Sequence, residues 1–219
     1  MRETHQVSEK DKMTNKQILA ITDKDELKAA LEHRFGPAME NVRELLNCIG
    51  EDPSREGLLD TPYRVVKSFL EIYGGYDDDP KQILGTMFEE EVGDTDEIVM
   101  CRNINFYSTC EHHMIPYMGV CHIGYLPSKK VVGLSKLARL VECFARRLQI
   151  QEKMTSQIAD TLMEVVQPQG VGVIVQGKHL CMCSRGVKNQ TSDMLTSAMR
   201  GKFKEQPQTR NEFLQLINI

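Results

Sequence analysis

The chain has 219 residues, 41% of them hydrophobic and 26% charged, with a net charge of −4. Those proportions are those of a folded globular protein and exclude a disordered or fibrous one, and the acidic balance excludes a general electrostatic footprint for nucleic acid. No apolar run approaches the roughly 18 residues of a membrane span, and the charged opening 1–16 does not read as a signal peptide, so a cytoplasmic protein without a membrane partner is expected.

Residues 1–25 are polar, lack sustained periodicity and read as an N-terminal arm. From 26 to 95 the pattern is helical. Leu27, Ala30 and Leu31 share a face; Gly36-Pro37 interrupts, and Pro37 suits the first turn of a new helix carrying Val42, Leu45, Leu46 and Ile49 to a stop at Gly50. Thr61 as N-cap before Pro62 starts a helix through Val65, Val66, Phe69 and Ile72, and Asp79-Pro80 starts a shorter one. The acidic stretch 89–96 reads as a linker into a C-terminal domain, 96–219.

In that domain the period changes. Residues 98–100, 104–107, 120–126 and 171–175 are short runs rich in β-branched and aromatic residues and read as strands. Between them, Leu134, Leu137, Ala138, Val141, Ala145 and Leu148 mark one amphipathic helix, and Met154, Ile158, Leu162 and Val165 a second that stops before Pro168. Residues 191–199 fit helix or strand, and a last helix follows Pro207. Helices first, then strands with a helix pair inserted, indicate an α+β fold.

Six of the seven cysteines and four of the six histidines fall between 101 and 183. An odd cysteine count in a chain without a secretory signal does not suit a disulfide framework. In Cys110-Glu111-His112-His113 a thiol and an imidazole three residues apart can reach one metal ion, and on an extended strand His179, Cys181 and Cys183 would share a face. The region has no clean C-x2-C or H-x3-H pair of the kind zinc ribbons and fingers use, so Cys110, His113 and Cys181 suit an open three-ligand site better than a closed structural one. Cys121, Cys143 and Cys183 read as small apolar fillers, and His122 as a half-buried strand residue.

Gly133-Leu134-Ser135-Lys136 opens the first inserted helix, with Arg139 one turn on. Free amides, the helix dipole and two cations form a phosphate cradle, although basic residues on an amphipathic helix are as readily just solvated. Arg185, Arg64 and Lys67 are further candidates. Glu152, after Gln151, is either a residue favoured at a helix start or a carboxylate able to accept two N–H donors from a heterocycle such as guanine.

These residues resemble, in order, the GTP cyclohydrolase I family. The resemblance is carried by Gly50-Glu51-Asp52-Pro53-Ser54-Arg55-Glu56-Gly57-Leu58 with Thr61-Pro62-Tyr63-Arg64-Val65; Cys110-Glu111-His112-His113; Gly133-Leu134-Ser135-Lys136-Leu137-Ala138-Arg139; Gln151-Glu152; and His179-Leu180-Cys181-Met182 with Arg185-Gly186-Val187. It runs from about Ala38 to the C-terminus. It implies a zinc hydrolase that turns GTP and water into 7,8-dihydroneopterin triphosphate and formate. Cys110, His113 and Cys181 would hold one zinc per subunit. His112 and His179 would move protons, Gln151 and Glu152 recognise guanine, and Ser135 meet the ribose. Lys136, Arg139 and Arg185 would bind the triphosphate, with Arg64 and Lys67 from a neighbouring subunit. The implied architecture is the tunnelling fold, whose four-stranded antiparallel sheets close into a barrel in a decamer of two pentamers. It favours a strand at 191–199. Met114-Ile115-Pro116-Tyr117 and Cys183-Ser184 depart from the family's common residues, which implies altered packing around the site and unchanged roles.

Overall fold

A computed structural model describes residues 13–85, 87–88, 97–128 and 131–217; most of the N-terminal arm and the expected linker at 89–96 lie outside them. The chain forms two compact units, Met1–Asp77 and Asp78–Ile219.

In the first unit, helix α1 (Asn15–Leu19) starts with a capping box in which Thr14 and Gln17 satisfy each other's backbone N–H groups. Its Ile18 packs with Leu27, Leu31, Met39, Val66 and Leu70. Helix α2 (Lys24–Cys48) is capped by the Asp23 carboxylate, which accepts from the N–H groups of Asp25 and Glu26. The expected break at Gly36-Pro37 is a kink inside this helix: Phe35 leaves helical geometry at φ −123°, ψ 16°, because Pro37 lacks an N–H and its ring crowds the preceding turn. Helix α3 (Thr61–Ile72) begins one residue earlier than the Thr61 cap predicts. Asp60 is its N-cap, but its carboxylate faces Lys28 and Arg64, each at 3.6 Å, and makes no capping bond. Leu45 on α2 and Ile49 at its C-cap are 64% and 73% exposed while Val42 and Leu46 are half-buried, so the predicted stripe is only partly covered among the described residues.

The second unit begins with α4 (Pro80–Leu84), where the Asp79 carboxylate accepts from Lys81 N as predicted. A two-residue strand β1 (Met87–Phe88) pairs with β4 (Val131–Val132). The main sheet has β2 (Val99–Cys110), β3 (Pro116–Leu126), β6 (Gly170–His179) and β7 (Met194–Gly201) in antiparallel order, with β5 (Leu148–Gln149) parallel to the end of β2. It is therefore a mixed five-stranded sheet, not a purely antiparallel four-stranded one. The extra strand exists because helix α5 (Leu134–Ala145) ends three residues before the predicted Leu148. Gln149 Nε2 then donates to the orphan carbonyl of Phe144 at 2.9 Å, which fixes the new strand under the helix end. At 191–199 the strand prevails: the Asn189 side chain accepts from Thr191 N and Ser192 N, closing a turn that delivers Met194 into register with Gly177.

Helices α5 and α6 (Gln151–Val166) cover one face of the sheet. Leu137, Leu140, Val141, Phe144, Met154, Ile158 and Leu162 pack there against Phe106, Tyr117, Ile123 and Val173. Leu134 and Ala138, placed in the stripe by periodicity, are exposed, and Leu140 and Phe144 take the buried positions. None of the seven cysteines is in a disulfide. Cys121 and Cys143 are buried, as apolar fillers are.

After β7, helices α8 (Lys202–Glu205) and α9 (Pro207–Ile217) bring Phe203 and Phe213 edge to face at 5.3 Å onto Leu126 and Ile174, on the sheet's other side. Gly124 and Gly172 make room for them, since a Cβ at either would come within 2.7 Å of a ring. His122 lies between Cys121 and Ile123 on β3, so its side chain points away from the main core. It is fully buried rather than half-buried, its Nδ1 lacks a hydrogen-bond partner, and burial, helped by the Arg102 charge, holds its pKa below the ordinary 6.5.

That shift sets a sign. Above about pH 6.5 neither state binds the extra proton; below it the unfolded imidazole takes one that the folded ring resists, so stability falls until the lowered folded value is passed. A His122→Leu variant is expected to lose less of its urea midpoint than the parent between about pH 7 and pH 5. Equal losses would exclude His122 as a source of the slope.

Candidate active site

The site forms where the start of β3 and the end of β6 lie side by side, with Tyr117 in register with His179. Cys110 closes β2, and its N–H donates to Ile115 O at 3.0 Å while its own carbonyl accepts from Met114 N at 2.9 Å. This tight turn, with Met114 at φ 53°, hangs His112 and His113 beside the thiol: each has Nδ1 3.8 Å from Cys110 Sγ.

Cys181 reaches the same place from the other side, and not by the predicted route. Strand β6 ends at His179, and Leu180–Cys183 forms a single helical turn, α7. Residues two apart on a helix do not share a face, so the turn that presents Cys181 directs Cys183 elsewhere. Donor atoms of Cys110, His113 and Cys181 all lie within 4.8 Å of one another. On a tetrahedral ion with bonds of about 2.0–2.3 Å, donors stand roughly 3.3–3.8 Å apart, so the set needs only a small contraction to hold one. Burial, then the neighbouring Cys110, pushes the Cys181 thiol above its usual pKa, an environment in which a divalent cation would favour the thiolate. The chemistry of two thiols and an imidazole fits zinc.

Around this cluster, Arg185 on the loop after α7 places Nη1 3.0 Å from His113 Nε2. His179 stacks on Tyr117 with ring centroids 4.3 Å apart and planes 6° from parallel. Burial lowers its pKa, opposed by the charge of Glu152. Glu152 is exposed in the first turn of α6. Ser135 and Arg139 are exposed and Lys136 half-buried in the first turns of α5, whose N-cap Gly133 offers no side chain to its free amides. Arg64 and Lys67 belong to the other compact unit, where they line a cleft of about 500 Å³ with Lys24, Lys28 and Asp60.

Residues 38–218 match the GTP cyclohydrolase I family. The chain belongs to that family. It is 61% identical over 175 residues to GTP cyclohydrolase 1 of Wolinella succinogenes, covering 80% of this chain and 92% of that protein. It is 49% identical over 176 residues to the proteins of the same name from Brucella canis and from Brucella abortus strain S19, covering 80% of this chain and 82% of theirs. Every candidate site residue lies inside the matched segment.

Within this member of the family, one placement departs from the expectation. Gln151 is entirely buried, with its side chain among β6 and β7 residues. Sequence reasoning also passed over Tyr117, Thr155 and Thr196, which surround it and His179. A cue was available: Gln151 and Thr155 are polar residues four apart on a face of α6 otherwise built from Met154, Ile158 and Leu162, and a polar pair there needs internal hydrogen-bond partners.

Proposed function

We propose that this chain hydrolyses GTP to 7,8-dihydroneopterin triphosphate and formate, the opening step of pterin and folate biosynthesis, with zinc held by Cys110, His113 and Cys181. The observation that carries the reading is the convergence of those three donors beside His112 and His179 in a chain of this family. Bound there, zinc supplies Lewis acidity and activates water near neutral pH. The chain's own residues do the rest. Glu152 accepts the ring N–H and amino protons of guanine, which orients the purine. Lys136, Arg139 and Arg185 draw in the triphosphate at the α5 N-terminus, where unpaired amides add their own donors. His112 and His179 supply and remove protons as the imidazole ring of guanine opens and formate leaves, a task suited to side chains that titrate near working pH. Ser135 contacts the ribose during its later rearrangement.

The reading includes a cytoplasmic homodecamer of two pentamers with the tunnelling fold, residues 96–219 forming the catalytic domain. Three observations support assembly. Among the described residues, no strand pairs with the outer side of β7, and β5 covers only the last two residues of β2, so two sheet edges can pair with other copies. The exposed Leu45 and Ile49 await cover. A pocket of about 210 Å³ beside His179 is smaller than the roughly 300–1,000 Å³ typical of ligand sites, so a neighbour that completes it, bringing Arg64 and Lys67, would be needed for GTP.

Incubation of the zinc-loaded protein with GTP should release formate and, after oxidation, a fluorescent pterin, and a chelator should abolish both. Zinc-loaded protein that yields neither would overturn the proposal.

A further inference from the structure

The resemblance assigns Gln151 to guanine recognition, yet none of its side chain is exposed. Its Nε2 lies 3.1 Å from Val175 O, 2.9 Å from Met194 O and 3.1 Å from Thr196 Oγ1, and its Oε1 lies 3.0 Å from His179 Nε2. Backbone carbonyls can only accept, so the amide nitrogen must face them, and the orientation of the amide is fixed without reference to the imidazole. The oxygen turned toward His179 has no proton to give. His179 Nε2 must therefore be the donor.

We propose that Gln151 is a positioning residue that holds His179 in its Nε2–H tautomer, leaving Nδ1 as the ring atom that exchanges protons with the substrate. The role of Nδ1 rests on the reading of His179 as a proton carrier; the tautomer rests on hydrogen-bond direction alone. Three further features restrict the ring. The stack on Tyr117 fixes its plane, and a flip within that plane would present Cε1 to Gln151 and lose the bond. Thr155 Oγ1 donates to the main-chain carbonyl of Gln151 at 2.7 Å and lies 2.7 Å from Thr196 Oγ1, the hydroxyl beside Gln151 Nε2, so the helix start and the sheet are linked next to the amide. Gly177 leaves the space the amide uses: a Cβ there would lie 2.4 Å from Gln151 Oε1. Because Gln151 is the first residue of α6, the same contact ties the ring to the helical turn that carries Glu152.

Two variants test this in the full-length, zinc-loaded protein. Gln151→Met keeps the side chain's length and removes its hydrogen bonds. Gly177→Ala leaves the amide's chemistry intact and pushes Oε1 off the ring, which keeps the test valid if the first variant folds poorly. Ring-nitrogen shifts of His179, read by solid-state NMR on protein labelled with ¹⁵N-histidine and assigned against His179→Asn, should report Nε2–H in the parent and a tautomer mixture in both variants. The kcat for GTP should fall about 10- to 100-fold, as for other partners that orient a site residue, with KM changed by less than about threefold. An Nδ1–H ring in the parent, tautomer and kcat unchanged in both variants, or a raised KM at constant kcat would each overturn the assignment. The tautomer is read without turnover, so a parent that fails to hydrolyse GTP refutes the proposed activity and leaves the positioning role to be decided by the NMR result.

Discussion

Replacing Cys181 with serine is expected to remove the proposed zinc and reduce GTP turnover to background, an effect that only loss of Cys110 or His113, the other two donors, should match. The argument starts from the donors. Of the three, two are thiols, and a serine hydroxyl at the same place does not ionise near neutral pH, so the set would fall to one thiolate and one imidazole. Loss of an outer-shell partner already costs roughly 10–100-fold in metal affinity or activity, and removal of a direct ligand should exceed that. The fold should survive. Cys181 sits in the single turn of α7, held by Leu180 O, which accepts from Ser184 N at 2.9 Å and Ser184 Oγ at 2.7 Å; neither bond involves the thiol. Zinc per subunit after gel filtration, with circular dichroism beside it, checks the prediction. Full zinc occupancy in a folded Cys181→Ser protein would remove the residue from the ligand set.

That cluster was legible in the sequence because its residue types are few and chemically marked: two cysteines and a histidine have to meet, whatever local structure carries them. The local structure itself was less so. Alternation along an extended strand put His179, Cys181 and Cys183 on one face, yet the ladder partner of β6 runs out at Tyr117, and the chain past His179 turns into α7. Periodicity carried α5 to Leu148 because Leu148 continues the apolar spacing, while the bond from Gln149 to Phe144 O, which ends the helix, lies beyond what spacing can report. Leu134 and Ala138 fit the stripe in sequence and remain uncovered in this chain, since a pattern tells which face is apolar and not what covers it. The Gln151 network was hidden for another reason. Its partners lie 24, 43 and 45 residues away, and only the folded sheet brings them together. GTP and zinc follow from the family resemblance; composition marks only the Cys- and His-rich region between 101 and 183.

Replacing His112 with serine should separate chemistry from metal binding. His112 hangs from the same turn as His113, with its ring 6.3 Å from that of His113 and nearly perpendicular to it, and its Nδ1 3.8 Å from Cys110 Sγ. It is thus held against the donor cluster while standing outside the three-donor set itself. An exposed imidazole so placed can reach a bound purine and exchange a proton with it, whereas serine cannot carry a proton near neutral pH. A positioned general acid or base contributes about 10²–10⁴ in rate, so His112→Ser should lower kcat by that range with zinc content unchanged. If His112 acts only as the purine ring opens, kcat and kcat/KM should fall together, since substrate binding does not depend on it. Steady-state formation of the pterin, measured with zinc quantified in the same preparation, decides the point. Turnover at the parent rate would exclude His112 from proton transfer, and loss of zinc would instead make it a support of the metal cluster.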